Sequence, residues 1–344
     1  MGKPRWRLQT ALNYLARNVE ALGLEGRVDV IVSDWASEVP LRKEAELGSA
    51  ARRMVRFLEV SPELAASVQK DSPFPEVLAL NAVVRRASGD YIGRIDQDTL
   101  VGRAFLKRFF DFVDGNTPFG VNPEACFLFA LRRMMPYEFA VRCGAFTDVV
   151  TFLNCFKGQL PVEEFNYNPW FNAPTGIMVL HRDLWAECGG YDERFIYWGW
   201  METDLGYRLE EKYPLVNLSG ITGVDFYHLE HVKPSLTART ARKKNYDIFG
   251  DKSASFHPNG PDWGLAKHDL PLLPGEKEVA VEKEKRRLSF AFMLKTVVTC
   301  VVREHVKRLY LSPAPAWLLP LLNATRGLRE RFGLRASQIQ THRD

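Results

Sequence analysis

The chain has 344 residues, 46% of them hydrophobic and 26% charged, with a formal net charge of +4. These values fit a soluble globular protein of one large domain with an extension, or of two domains, and they exclude a nucleic-acid partner held by bulk charge. Five cysteines with no C-x-x-C pair exclude a disulfide framework and a structural zinc site and fit a reducing compartment, and the N-terminal MGKPRWRLQTALNY lacks the apolar run of a signal peptide.

Residues Arg5 to Leu22 carry Leu8, Leu12, Leu15, Val19 and Leu22 at spacings of three or four, the pattern of an amphipathic helix that Gly23 ends. Val28 to Val32 is a β-branched run, read as a buried parallel strand. Asp34 and Ser37 follow it, where ligands bind in open α/β sheets. Phe57 to Val60 predicts another strand, Pro62 to Gln69 a short helix, and Val77 to Arg85 a helix ended near Gly89.

Ala87 to Thr99 reads ASGDYIGRIDQDT. Tyr91 to Ile95 predicts a strand, with Asp96 and Asp98 at its end. Carboxylates at that spacing in a flattened turn suit a hard cation such as Mn²⁺ or Mg²⁺ and the phosphates it bridges. Phe105 to Phe112 predicts a helix. Pro118 to Trp170 has no clear repeat, although Glu163 and Glu164 precede the aromatic group Phe165, Tyr167, Trp170 and Phe171. Thr175 and Gly176 lead into a strand from Ile177 to Leu180.

Gly189 to Leu209, GGYDERFIYWGWMETDLGYRL, is the densest stretch. Met201, Leu205 and Leu209 recur at i, i+4 and i+8 on one helix face. Glu202 and Asp204 therefore sit in a first helical turn beside Tyr197, Trp198 and Trp200. Aromatic rings stack on the apolar faces of sugars, and carboxylates accept hydroxyl hydrogen bonds. The plainer reading is also open: first-turn acids complement the helix dipole, and Asp204 and Arg208 have ion-pair spacing. Further on, Val216 to Leu218 predicts a strand. The segment YHLEH places His228 and His231 at i, i+3, where a helix would present both imidazoles on one face. It is not H-E-x-x-H, which excludes a zinc protease.

Two blocks carry a family resemblance. Asn172 to Leu209, with Gly189-Gly190-Tyr191-Asp192-Glu193, Trp198-Gly199-Trp200, Asp204-Leu205 and Arg208-Leu209, resembles the acceptor-side segment of inverting GT-A glycosyltransferases, those of family 2 and of the galactosyltransferase C-terminal module. Ala87 to Thr99 resembles their D-x-D segment. The resemblance implies that Asp34 and Ser37 contact the nucleotide, that Asp96 holds ribose, and that Asp98 holds the metal. It implies that Gly176 lets the backbone approach the donor sugar, and that His228, or His231, completes the metal sphere. Trp198, Trp200 and Tyr197 would form the acceptor wall. Where the family has Glu-Asp after the second Trp, this chain has Met201-Glu202, so the base role passes to Glu202, with Asp204 as the fallback. The family also opens with a strand before the first helix; here only Lys3-Pro4-Arg5 stands for it.

Arg239 to Lys244 holds four basic residues, read as a phosphate-contacting loop or a solvated helix. Gly250 to Gly275 reads as a loop. Glu276 to Arg287 reads as a charged helix start, and the apolar run Leu288 to Val302 is too short and interrupted to span a membrane. The tail is a basic amphipathic extension that packs on the core, pairs two subunits or rests on an anionic membrane surface.

The expected fold class is α/β, of the GT-A type, with a mixed central sheet flanked by helices. Residues 1–250 would form the transferase domain, 251–275 a linker, and 276–344 a helical extension. The expected function is a metal-dependent inverting transfer from a nucleoside-diphosphate sugar, UDP-linked, to a saccharide or glycolipid hydroxyl. The location would be cytoplasmic, with or without contact at the inner membrane face. The alternative is a catalytically silent saccharide-binding or scaffold protein on the same fold. A sugar nucleotidyltransferase is disfavoured because no Gly-rich basic phosphate loop stands near the N-terminus.

Overall fold

The computed structural model describes residues 4–72, 75–115, 120–163, 177–231, 236–250 and 256–311. In chain order the elements are α1 (Pro4–Glu20), β1 (Val30–Trp35), α2 (Leu41–Glu44), α3 (Ser49–Met54), β2 (Val55–Val60), α4 (Pro62–Val68), α5 (Glu76–Val84), β3 (Tyr91–Ile95), β4 (Thr99–Val101) and α6 (Arg103–Val113). They continue with β5 (Phe127–Phe129), β6 (Arg133–Met135), α7 (Tyr137–Arg142), α8 (Phe146–Phe156), β7 (Ile177–His181), α9 (Arg182–Cys188), α10 (Met201–Glu210), β8 (Leu215–Asn217), α11 (Leu218–Thr222) and β9 (Phe226–Leu229). The last are α12 (Leu236–Gly250), β10 (Leu272–Pro274) and α13 (Phe290–Leu311). The class is mixed α/β, as the sequence predicts.

Three sheets form, in the orders β1-β2-β10, β3-β7-β5-β8 and β4-β9-β6. The first two lie side by side between the same two helix layers. Val55 and Phe57 share a core with Leu128, Ile177 and Val179 under α1, α3 and α6. The alternate residues Leu58 and Val60 share the opposite core with Phe127, Met178 and Leu180 under α5, α9 and α10. Period-two alternation produces both faces. β1 stands at one end of its sheet and β3 at one end of the other, so each pairs on one side among the described residues. The third sheet and α7, α8 and α13 enclose a further core around Phe139, Phe152, Tyr227 and Met293.

Four expectations change. Glu276 to Arg287 is extended apart from a single tight turn at Val281–Lys283. It lies along the domain because Glu276 pairs with Arg42, Glu278 pairs with Arg52, and Val279 donates to the Leu47 carbonyl. The 251–275 segment includes β10, which pairs antiparallel with β2. Prolines bracket that strand, a placement suited to a sheet edge. His228 lies on strand β9 rather than on a helix. The unpatterned middle region contains β5, β6, α7 and α8, whose phenylalanines are core. Of the two readings of Arg239 to Lys244, the helix is the one found, as part of α12.

The turn before α10 is set by backbone stereochemistry. α9 ends at Gly189 in the left-handed region, with the Gly190 amide reaching back to the Trp185 carbonyl. A Cβ on Gly190 would lie 2.6 Å from Asn81 Oδ1 and 2.7 Å from the Trp263 ring, so only glycine fits. Asn81 is buried, accepts from the Tyr191 amide at 2.9 Å and donates to its carbonyl at 2.8 Å. Gly199 (φ 79°) and Trp200 (φ 71°) then turn the chain into α10. Met201, Leu205 and Leu209 are fully buried there. Each such side chain contributes roughly 1.5–3 kcal/mol.

Candidate functional site

β3 delivers Asp96 and Asp98 into a turn that leads straight into β4. β9 runs antiparallel to β4 with His228 opposite Thr99, and the Leu229 amide donates to the Asp98 carbonyl at 2.9 Å. This register brings His228 against Asp98, with Nε2 3.5 Å from Oδ1. The chain turns at the end of β9 and returns His231, with Nε2 3.3 Å from Asp98 Oδ2. The two rings stand at 88° with centroids 5.5 Å apart. Asp98 and His228 are buried, and Arg7 Nε is 4.0 Å from Asp98.

The electrostatics of this cluster favour a charged carboxylate. Burial opposes the charge on Asp98, but hydrogen bonds from His228 and His231 outweigh it and hold the group well below the usual carboxylate range. Burial likewise disfavours the His228 cation, yet Asp98 and Glu230 push that imidazole up to about 9. One ligand atom each from Asp98, His228 and His231 lies within 4.8 Å of the others. A carboxylate with two imidazoles is a donor set that suits a divalent transition-metal ion better than Mg²⁺, which prefers oxygen ligands.

Asp96 faces two guanidiniums. Arg94 Nη2 is 2.9 Å from Oδ1, and Arg132 Nη1 donates to Oδ2 at 2.8 Å. Arg132 also donates from Nε to Glu163 at 2.6 Å. Arg94 lies in the strand, its side chain 8% exposed, and binds two further carboxylates: Glu76 at the start of α5, at 2.7 Å, and Glu202 in the first turn of α10. One guanidinium therefore ties Asp96, the expected ribose contact, to the expected base Glu202. Burial is the main cause that pushes Glu76 up to about 7, against the pull of Arg94.

The other predicted positions separate. Asp204 is buried in an ion pair with Arg208 at 2.8 Å. Arg208 spends its remaining donors on the carbonyls of Cys188, Gly190 and Phe256. This is the plainer of the two readings of Asp204, and it explains the D-x-x-x-R spacing as a brace on the Gly189–Glu193 turn. Trp198 is 40% exposed, whereas Trp200 stacks on Phe249 and contacts Tyr246 of α12. Tyr197 hydrogen-bonds Asp71, and Lys244 lies 4.3 Å from its ring centroid. Asp34 is buried, and its Oδ2 accepts from the Leu41 amide at 2.7 Å, while Oδ1 has no partner among the described residues. Ser37 is half-buried just past β1. Gly176 and the aromatic group from Phe165 to Phe171 lie outside the described residues.

Sequence reasoning missed Arg94, Glu76, Arg132 and Glu163 as parts of one charged network. A signal existed for Arg94: a cation inside the apolar run YIGRI, leading to two acids, needs a buried partner. Arg132 and Glu163 meet only through the tertiary fold, 31 residues apart, and their spacing carries no periodic signal.

No family model matches the chain. Among curated proteins it is similar to the validoxylamine A glucosyltransferase of Streptomyces hygroscopicus subsp. jinggangensis, 26% identical over 217 residues, covering 59% of this chain and 48% of that protein. The chain thus spans about half the length of that relative. Among solved structures it aligns with the catalytic domain of Drosophila β1,4-galactosyltransferase 7 in complex with xylobiose, at 12% identity, 73% and 77% coverage and a TM-score of 0.35. It also aligns with the mannosyltransferase PcManGT of Pyrobaculum calidifontis in complex with GDP-Man and Mn²⁺, at 12% identity, 94% and 92% coverage and a TM-score of 0.36.

Proposed function

We propose that this chain is a metal-dependent inverting glycosyltransferase of the GT-A type. It moves a hexose from a nucleoside-diphosphate sugar, UDP-linked, to a hydroxyl of a saccharide or glycolipid acceptor. The observation that carries the reading is the coupling of two clusters: Asp98, His228 and His231 on one side, and Glu202 on the other, joined through Glu163, Arg132, Asp96 and Arg94. The glucosyltransferase relative supports a hexosyl donor.

Asp98, His228 and His231 would hold the divalent cation, which supplies positive charge to the leaving diphosphate. Asp34 and Ser37 bind the base side of the nucleotide, and Asp96, fixed by two arginines, orients the ribose. Trp198 offers an apolar face to the acceptor ring. Arg94 grips Glu202 through Oε1, which leaves Oε2 to accept the proton of the acceptor hydroxyl. As that proton transfers, the hydroxyl oxygen bonds to the anomeric carbon. The bond from that carbon to the diphosphate oxygen breaks on the opposite face, its electron pair leaves with the diphosphate, and configuration inverts.

The test is calorimetric titration of UDP, with and without Mn²⁺, into wild type and Asp98→Ala. Metal-dependent binding that Asp98→Ala abolishes supports the donor site, and loss of turnover with retained UDP binding in Glu202→Gln supports the base. Absence of nucleotide binding by the wild type overturns the transferase reading in favour of a passive saccharide platform.

A further inference from the structure

α13 carries two adjoining apolar stripes, one buried and one exposed. One face, with Met293, Val297 and Cys300, is buried among the phenylalanines of α7 and α8. The other carries Phe290, Leu294, Val298 and Val302 at i, i+4, i+8 and i+12, exposed by 50%, 45%, 54% and 48%. The Phe290 ring packs at a tilt on Phe156, with centroids 5.3 Å apart, and the other three side chains are exposed along the helix. A helix with an ordinary solvent face carries polar residues there. A continuous run of large apolar groups is the mark of a covered surface.

The charges beside this face select what covers it. Lys283, Lys285, Arg286 and Arg287 lead into the helix and are exposed, as is Lys295 within it. The acids among them are drawn away: Glu282 pairs with Arg17, and Glu284 accepts from the Phe146 amide. The surface is therefore an apolar stripe headed by cations that form no salt bridge among the described residues. The sequence beyond Leu311 continues in the same chemistry, with Trp317, Leu318, Leu319, Leu321 and Leu322 beside Arg326, Arg329, Arg331 and Arg335. No helix among the described residues is long and apolar enough to cross a membrane.

We propose that the exposed face of α13 lies on an anionic lipid bilayer, with Leu294, Val298 and Val302 entering the headgroup boundary and Lys285, Arg286 and Arg287 meeting lipid phosphates. Apolar burial and attraction to anionic lipid act together in such a contact, so both chemistries are required. This inference stands on α13 and the basic segment that leads into it, and is independent of the proposed reaction.

The experiment is flotation of the full chain with vesicles of phosphatidylcholine, or of phosphatidylcholine with phosphatidylglycerol, at low and high salt. The wild type floats with the anionic vesicles, releases at high salt, and binds the neutral ones at least tenfold less. Leu294→Glu/Val298→Glu and, separately, Lys285→Glu/Arg286→Glu/Arg287→Glu each cut binding at least tenfold, with circular dichroism unchanged. The second variant alters only exposed extended chain and keeps the test open if the first unfolds. The proposal is overturned if the wild type stays in the aqueous fraction with both vesicles, or if neither variant weakens binding. It is also overturned if light scattering shows a dimer that Leu294→Glu/Val298→Glu converts to monomer, because a second copy is then the occupant.

Discussion

Arg94 and Glu202, 108 residues apart, share a partly buried hydrogen bond that joins the third strand to the first turn of α10. The same guanidinium holds Glu76 and Asp96. Removing a buried cation leaves its carboxylates uncompensated, which typically costs about 3–5 kcal/mol. Arg94→Ala is therefore expected to lose stability on that scale in urea unfolding. Arg94→Lys restores the charge but not the planar fork, and should recover only part of the loss.

Glu202 and Asp204 are neighbours in sequence with opposite expected phenotypes. Glu202→Gln should lower kcat by roughly 10²–10⁴ because it removes a proton acceptor, and should lower the unfolding midpoint less than Asp204→Asn does, because Arg94 keeps Glu76 and Asp96 as counter-charges. Asp204→Asn breaks the buried pair with Arg208 and should lower the midpoint first. Activity and urea unfolding measured on both variants separate the two roles. A stable, inactive Asp204→Asn would shift the base assignment to Asp204.

Glu76 gives a pH signature. Its folded value, raised to about 7 chiefly by burial, exceeds that of the unfolded chain. Across the interval between them the fold holds a proton that the unfolded chain has released. Stability therefore falls as pH rises from the ordinary glutamate range to about 7, and levels off above it. Glu76→Gln removes this slope. The gap in stability between variant and wild type should widen from pH 5 to 8 by an amount on the order of 2 kcal/mol, read from Tm at each pH.

Added Mn²⁺ should raise the Tm of the wild type and not that of Asp98→Ala. An ion at a hundred times its Kd stabilises by about 2.7 kcal/mol. His228→Gln and His231→Gln should each reduce the shift, His228 more, since it is buried beside Asp98 and His231 is partly exposed.

Much of the fold was legible because the cores follow simple periods. The Leu8-to-Val19 spacing, the Phe57-to-Val60 strand and the Met201-Leu205-Leu209 face all appear as buried surfaces. The segment Glu276 to Arg287 misled because a run of charges resembles a solvated helix, whereas Glu276 and Glu278 are tethered to Arg42 and Arg52. In the candidate site, Asp98, His228 and His231 could be named from sequence, but their meeting depends on the pairing of β4 with β9. The arginines that organise the acids could not be ranked from sequence, since an arginine's partners across 30 or 100 residues leave no local pattern.

β1 and β3 are edge strands of two sheets whose residues contribute to the same two cores. Side-chain packing joins the two sheets, and among the described residues no ladder of amide bonds runs between them like those that join β1 to β2 and β3 to β7. Amides along β1 and β3 that face away from their one partner should exchange with solvent long before those shared with β2 and β7, so the protein should show two exchange classes within single strands.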